Sequence, residues 1–190
     1  QMCIRDSYRS GISRKVGGSV SGGTDSGNYY ISAGFDDQQG IVPTSSFKSG
    51  DMRINFNQDL NDKLILEARM SGYLSSTNFA ESGDLLGGSN QSFIKQVISF
   101  RPIITEEFED FGEDLDISNP FSWINDFEDI SKESRYIGNL ALTYKLPVQG
   151  LRYQVKIGGN IRTKERRRFF GTTTWQGNNA NGSLQITGLN

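Results

Sequence analysis

Residues 51–75 read DMRINFNQDLNDKLILEARMSGYLS and predict two antiparallel strands joined by a short turn at 60–63. Before the turn, apolar side chains occupy every second position and polar ones lie between them (Met52, Ile54 and Phe56 against Arg53, Asn55, Asn57 and Asp59). After it, small or apolar residues again recur at every second position from Leu64 to Leu74. Period-two alternation is typical of a β-strand that has one face in apolar surroundings. This stretch therefore predicts a hairpin with an apolar and a polar face.

Two further hairpins have the same layout. The C-terminal one surrounds the turn at 147–150, with apolar or aromatic residues at alternate positions on both sides (Tyr136, Leu140, Leu142 and Tyr144 before it; Leu151, Tyr153, Val155 and Ile157 after it). The N-terminal one joins Ser19–Gly23 to Tyr29–Asp37 through the turn-rich residues 24–28. On that hairpin the apolar side carries Ile31, Ala33 and Phe35.

Composition excludes several classes of function. The 190 residues contain no histidine, which rules out Ser-His-Asp triads, Cys-His dyads and His-ligated metals as self-contained sites. The net charge of −2 argues against a general nucleic-acid binder, which needs a strongly basic surface. No segment approaches the ~18 consecutive apolar residues of a membrane-spanning helix. The single cysteine, Cys3, has no partner within the chain for a disulfide.

The connections alternate in length. Short turns at 24–28, 60–63 and 147–150 alternate with longer links at 38–48, at 78–133 and beyond Thr163. Membrane-spanning meanders have this layout, with tight turns on one side and long extracellular loops on the other. We therefore predict an all-β fold, an antiparallel up-and-down meander of six or seven strands that forms part of a transmembrane β-barrel. The alternative is a soluble β-sandwich, which also alternates and also contains hairpins.

The domain organisation follows from these patterns. Residues 1–7 (QMCIRDS) fit neither the alternation nor the glycine pattern, and we expect them to be a non-native leader. Residues 8–190 are predicted to be a partial barrel with a long extracellular loop at 78–133. Within that loop, Ser89 to Ser99 has helical spacing and predicts a short helix before Pro102. Six or seven strands cannot close a barrel, so we expect the protein to extend further.

Several charged and aromatic clusters are candidates for binding sites. The acidic run at 106–116 lacks calcium-loop spacing and is interpreted as a solvated loop. The basic run Lys164–Arg168 is interpreted as a polar strand end above the membrane, with contact to anionic lipid headgroups as the alternative. The remaining aromatic residues divide into predicted loop residues that pack together or stack on sugars (Phe121, Trp123, Phe127 and Trp175) and predicted membrane-interface residues (Tyr29, Tyr136, Tyr144 and Tyr153).

Several segments, in this order, resemble the barrel of SusC/RagA-type TonB-dependent transporters. They include Tyr29-Tyr30-Ile31-Ser32-Ala33-Gly34-Phe35 with the following residues 37–42, and the preceding Ser19-Val20-Ser21-Gly22-Gly23. The others are Arg53-Ile54-Asn55-Phe56-Asn57-Gln58, Asn119-Pro120-Phe121, Gly138-Asn139-Leu140 and the Gly150-Leu151 turn. The resemblance covers about residues 14–190.

The resemblance implies a 22-stranded outer-membrane barrel that is filled by a plug and imports oligosaccharides or peptides with energy passed through the TonB complex. It also implies a SusD-like surface lipoprotein as a partner, contact with outer-membrane lipid, and no enzymatic activity. We predict no catalytic, cofactor-binding or metal-binding residues, no cofactor and no nucleic-acid partner, and we assign no ligand-binding residues. The alternative function is that of a soluble or secreted carbohydrate-binding or adhesion module.

Overall fold

The computed structural model describes residues 9–80, 124–148, 150–178 and 180–189. Seven strands form one antiparallel sheet, in which each strand is hydrogen-bonded to the next one in the chain. The strands are β1 (Ser13–Thr24), β2 (Gly27–Gln39), β3 (Ser46–Asn61), β4 (Leu64–Asn78), β5 (Phe127–Lys145), β6 (Arg152–Phe170) and β7 (Ser183–Leu189). A single helical turn, α1 (Trp175–Asn178), precedes β7. The predicted all-β antiparallel meander is confirmed.

The strand register places most of the apolar residues of β1 to β6 on the same side of the sheet. Directly paired residues share a face, and the pairs match apolar with apolar: Ile31 with Ile54, Leu66 with Leu142, and Leu140 with Ile157. We call this side the apolar face; its members are Val16 and Val20 on β1, Tyr29, Ile31, Ala33 and Phe35 on β2, Met52, Ile54 and Phe56 on β3, Leu64, Leu66, Ala68, Met70 and Leu74 on β4, Tyr136, Leu140, Leu142 and Tyr144 on β5, and Tyr153, Val155, Ile157 and Ile161 on β6.

The opposite side is the polar face. It presents Arg53, Asn55 and Asn57 on β3, Glu67, Arg69 and Ser71 on β4, Arg135 and Asn139 on β5, and Lys156, Asn160 and Arg162 on β6. A slip of the register by one residue would exchange the two faces, so the alternating sequence fixes the pairing.

The two ends of the sheet differ. At the turn end, β1–β2, β3–β4 and β5–β6 are joined by tight connections, and Asn61 accepts a hydrogen bond from the backbone amide of Lys63 at 3.0 Å in the β3–β4 turn. The register of β3 against β4 shifts between Asp59 and Asn61, which is a β-bulge beside that turn. At the loop end, the β4–β5 and β6–β7 connections are longer, whereas the β2–β3 connection spans six residues, as many as the β5–β6 connection.

The apolar face is a slanted band rather than a horizontal one. On β2 it runs from Tyr29 to Phe35, whereas on β6 it runs from Tyr153 to Ile161. Counted along the ladder of paired residues, the band on β6 lies two to four residues closer to the turn end than the band on β2. Strands that are inclined to a membrane normal produce this offset.

No second layer covers the apolar face in the described part of the chain. Val16 is 70% exposed, and Ile157 and Ile161 are each 68% exposed. A β-sandwich requires a second sheet packed about 10 Å away, and all seven described strands belong to a single sheet. The described residues therefore do not form the sandwich that the sequence left as the alternative. No helix in this described part is long and apolar enough to cross a membrane.

Several strands are longer than the sequence predicted. β5 begins at Phe127, so residues 127–133 belong to the sheet and the β4–β5 link spans residues 79–126. β6 continues beyond Thr163 to Phe170, and β3 begins at Ser46. The alternation disappears in these extensions because both faces become polar there, although the backbone pairing continues. The predicted helix at Ser89 to Ser99 and the leader at 1–7 lie outside the described residues.

Candidate functional site

The polar face carries most of the charged side chains of the sheet. Basic residues outnumber acidic ones on it: the basic members are Lys15, Arg53, Arg69, Arg135, Lys145, Arg152, Lys156, Arg162, Lys164, Arg166 and Arg168, and the acidic members are Asp36, Asp51, Asp59, Glu67, Asp129 and Glu133. Such a surface must stay hydrated, because unpaired charges are costly away from water. It suits the lining of an aqueous passage.

Hydrogen bonds between neighbouring strands organise the centre of the polar face. Arg135 and Arg162 are direct partners in the β5–β6 ladder, and two like charges in that position repel each other. Each is instead held diagonally: Arg162 Nε donates to Glu133 Oε1 at 2.8 Å, and Arg135 Nε donates to Asn160 Oδ1 at 3.2 Å. The guanidinium groups are thereby held in fixed positions on the polar face.

A depression of about 390 Å³ lies beside these arginines, with both charge types in its lining (Asp51, Arg53, Tyr73, Glu133 and Arg135 among them). Donors, acceptors and an aromatic ring together can hold a hydrated polar molecule or a polar segment of protein. In the described parts of the chain there is no group of three or more His, Cys, Asp or Glu side chains that could hold a metal ion. The charged and aromatic lining therefore favours contact with a polar molecule or polar protein segment that passes along the polar face.

A buried charged cluster lies on the polar face near the loop end. Asp129 is fully buried and accepts two hydrogen bonds from Arg166, from Nε to Oδ1 at 2.7 Å and from Nη2 to Oδ2 at 2.5 Å. The Arg168 Nε lies 4.0 Å from Asp129 Oδ2, and Arg168 is 7% exposed. The guanidinium of Arg166 also stacks on the ring of Phe79, 4.9 Å from its centroid. The cluster ties the start of the β4–β5 link to β5 and β6.

The cluster lies beyond the apolar band, where the opposite side of β6 carries Glu165 and Arg167. The hydrogen bonds from Arg166 to Asp129 raise the pKa of the Arg166 guanidinium above its ordinary value. Burial, together with the neighbouring Arg166, lowers the pKa of Arg168. Both remain guanidinium ions at neutral pH, because the ordinary pKa of arginine lies far above neutral pH.

Two aromatic rings close the sheet at the same end. Phe127 and Phe170 are direct partners in the ladder, each is 3% exposed, and their ring centroids lie 5.1 Å apart. Beside them, Asp126 accepts hydrogen bonds from the backbone amide of Thr173 at 2.9 Å and from its hydroxyl at 2.7 Å. The links before β5 and after β6 are thus joined at their bases.

The tyrosines that the sequence predicts at the membrane interface all lie on one face of the sheet. Tyr29, Tyr144 and Tyr153 lie on the apolar face towards the turn end, and Tyr136 lies on it towards the loop end. Phe127, predicted as a loop residue, is instead the first residue of β5 and packs on Phe170. Its packing favours the loop-packing interpretation over sugar stacking.

The basic run Lys164–Arg168 lies in the last seven residues of β6, which ends at Phe170, and this fits its interpretation as a polar strand end. Alternate members face opposite sides: Arg166 and Arg168 lie on the polar face beside Asp129, and Arg167 lies on the other side. The predicted headgroup contact therefore does not fit Arg166 and Arg168. The acidic run at 106–116, Phe121, Trp123 and the side chain of Trp175 lie outside the described residues.

Sequence reasoning missed Asp129 and its two arginine partners. The sequence signal was present: Asp129 and Arg168 are an acidic and a basic residue on two segments that the hairpin at 147–150 pairs. Counting the pairing outwards from that turn would have placed them opposite each other. The strand was instead predicted to end where its alternation ends.

A sheet with one exposed apolar face, one charged face, short turns at one end and long links at the other is a section of a β-barrel wall. Comparison with known proteins agrees with that class. No family model matches the chain. Among curated proteins it is similar to TonB-dependent receptor P3 of Formosa agariphila, with 24% identity over 165 residues that cover 83% of this chain and 16% of that protein.

Solved structures of a peptide importer have the same fold. The chain superposes on the RagAB peptide importer in its 'open-open' state with a TM-score of 0.67 and 18% identity, covering 89% of this chain and 19% of the other. For the 'closed-closed' state the TM-score is 0.61 at 19% identity, with 90% and 20% covered. For a further structure of the RagAB peptide transporter it is 0.59 at 20% identity, with 83% and 18% covered.

These similarities confirm the resemblance to SusC/RagA-type TonB-dependent transporters and the fold as part of such a barrel. The chain spans less than a quarter of the length of each of these proteins. The proteins to which it is similar are named as a receptor and as importers or transporters.

Proposed function

We propose that this chain forms part of the wall of an outer-membrane transporter that imports oligosaccharides or peptides with energy from the TonB complex. The observation that carries the proposal is the separation of the sheet into the exposed apolar face and the charged polar face. In a membrane the apolar face contacts hydrocarbon and the polar face lines the interior of the barrel. The protein as a whole would be a transporter without enzymatic activity.

The open sheet supports a larger barrel. Backbone groups along β1 and β7 have no hydrogen-bonded neighbour strand among the described residues, and such edges are not tolerated in hydrocarbon. Further strands are needed to satisfy them. A barrel of about 22 strands has a lumen wide enough to hold a plug. The side chains of the polar face would then contact the plug and the passing cargo.

We further propose that a SusD-like surface lipoprotein covers the loop end. The Asp129 cluster and the Phe127–Phe170 pair fix the bases of the links at that end, which would present their outer parts in a defined position. The similarity to solved structures of the RagAB peptide importer supports this arrangement.

Transport can be tested in the source organism by deleting the gene that contains this chain. We expect loss of growth on one class of oligosaccharide or peptide as the limiting nutrient, and restoration by the intact gene. Deletion of the TonB gene should produce the same loss. Unchanged growth on every oligosaccharide and peptide mixture tested would contradict the proposed transport.

Location is tested separately with a matched pair of variants of the full protein. Leu142→Arg places a charge on the apolar face, and Asn55→Lys places one on the polar face. We expect Leu142→Arg to lower the amount of folded protein in the outer-membrane fraction, and Asn55→Lys to leave it close to that of the unchanged protein. Recovery of the unchanged protein in the soluble fraction would instead support the binding or adhesion module.

A further inference from the structure

The apolar face is not evenly filled. A groove of about 690 Å³ runs across β3 to β6 in the half of the apolar face nearer the loop end. Its walls include Met52, Met70, Leu74, Tyr136 and Ile161. The floor is made by glycines that face the same side as these residues, Gly138 and Gly159, which are direct partners in the β5–β6 ladder.

The floor glycines leave space that side chains would otherwise fill. A Cβ atom added at Gly138 or at Gly159 would meet no atom within 4 Å. The lining is almost entirely apolar, and its volume is within the range of about 300–1,000 Å³ that is usual for small-molecule sites. The outer surface of a barrel is convex, so a groove there depends on the missing side chains.

A second, more polar depression of about 570 Å³ adjoins the groove towards the loop end and shares Gly50 and Leu74 with it. It is lined by Lys48, Ser76 and Lys132, which are consecutive members of one ladder row across β3, β4 and β5. Adjacent strands lie about 4.8 Å apart, so the two lysine Cα atoms are about 10 Å apart with a serine between them. Both lysines are exposed.

Two acidic residues flank this Lys–Ser–Lys row, Asp37 beside Lys48 and Glu165 beside Lys132. Within the described residues, neither lysine lies within 4.0 Å of a carboxylate oxygen in an ion pair. Both ammonium groups are therefore available to a ligand that approaches between them. Lysine side chains are long enough to converge on one anionic group while their stems rest on the apolar surface.

We propose that the groove and the lysine row together bind one lipid of the outer leaflet, a phosphorylated glycolipid of the lipid A type. Its acyl chains would fill the groove, and a phosphate would lie between Lys48 and Lys132. The inference rests on the proposed function, which puts the apolar face in the outer membrane with its loop end outside. The apolar groove matches the acyl chains of such a lipid, and the lysine row, which lies nearer the loop end, matches its phosphate. The groove lies in the half of the apolar face that would be in the outer leaflet.

A protein partner fits less well than a lipid. The groove opens onto the face that would be surrounded by the acyl chains of membrane lipids. Each basic residue near a membrane surface contributes about 1 kcal/mol of attraction to an anionic lipid, which is about five-fold in affinity. The two lysines together therefore account for about 25-fold.

The test uses the full protein in neutral detergent and measures bound lipid A by native mass spectrometry. The comparison ligands are the same lipid after enzymatic removal of its phosphates, and inorganic phosphate. The charge variant is Lys48→Gln with Lys132→Gln, and its control is Arg14→Gln, which lies in the same ladder row away from the groove.

The filling variant, which places side chains in the groove, is Gly138→Leu with Gly159→Leu. Its control is Gly18→Leu, also with open space at its Cβ position and also on the apolar face.

We expect the charge variant to weaken binding of phosphorylated lipid A by about 25-fold and to leave binding of the dephosphorylated lipid unchanged. The filling variant should weaken both lipids, and the two controls neither. Inorganic phosphate alone should not compete. Equal affinity for both lipids, or full binding by the filling variant, would overturn the proposal. Failure of the proposed outer-membrane location is distinct from these results, because the unchanged protein would then be missing from the outer-membrane fraction.

Discussion

Placing an arginine at Leu140 tests whether the apolar face meets hydrocarbon. On β5 the apolar face runs from Tyr136 to Tyr144, and Leu140 lies midway between these tyrosines. At about 3.4 Å per residue the two tyrosines are about 27 Å apart along the strand, or about 20 Å along the membrane normal for a strand tilted by about 40°. In the proposed membrane location, Leu140 would therefore lie close to the bilayer midplane.

The expected cost of Leu140→Arg is about 2–4 kcal/mol in the free energy of unfolding, because the charge must be taken from water into hydrocarbon. Leu142→Arg, two residues closer to the interface, should cost less, since the penalty falls with distance from the midplane. The matched control is Asn139→Arg, one residue away on the polar face. Its partner Arg69 is a like charge directly opposite, and we expect this repulsion to cost up to about 1 kcal/mol.

These costs can be measured by urea titration of the full protein folded into phospholipid vesicles, with tryptophan fluorescence as the probe. The order of destabilisation should be Leu140→Arg, then Leu142→Arg, then Asn139→Arg. Equal costs for Leu140→Arg and Asn139→Arg would show that the two faces have the same surroundings. The lipid-facing assignment of the apolar face would then be wrong.

Two further predictions concern the loop end. Asp129→Asn removes the buried carboxylate charge that pairs with Arg166, and we expect a loss of about 1.5–3 kcal/mol in the free energy of unfolding by urea titration. The exposed Arg167→Ala serves as its control and should change the free energy of unfolding by less than about 0.5 kcal/mol. Phe170→Ala removes one ring of the buried pair at the end of the sheet, and we expect a fall of about 3–5 kcal/mol. The more exposed Phe169→Ala should fall by much less, and equal losses at 169 and 170 would show that the ring pair does not close the sheet.

The alternating sequence was sufficient to predict the meander, its three hairpins and the two faces. Met52, Ile54 and Phe56 indicated the side that faces away from the charges, and the register matches them with apolar partners on β2 and β4. The turn at 60–63 was predicted because polar residues interrupt the alternation at that point. Local patterns determine these features, since the side-chain period of a strand does not depend on its neighbours.

The loop end was not predictable in the same way. Lys132 and Glu165 lie where the outward side of the strands is polar, so the contrast between the faces is lost while β5 and β6 remain paired. Asp129 is fully buried only because Arg166 and Arg168 reach it from the next strand. The groove depends on glycines from two strands meeting at one place. Contacts of this kind arise from register across distant segments, and a single segment contains no signal for them.

The slanted apolar band has a consequence for how substitutions in this sheet compare with one another. In the proposed membrane location, residues of one ladder row would lie at different depths in the bilayer, because the apolar stretches of β5 and β6 extend further towards the turn end than that of β2. Tyr29 on β2 and Ile157 on β6 share a ladder row, yet the first ends its strand's apolar stretch and the second lies in the middle of one. In that location one ladder row would lead from the headgroups into the acyl chains. A depth scale for this protein has to be drawn diagonally across the strands.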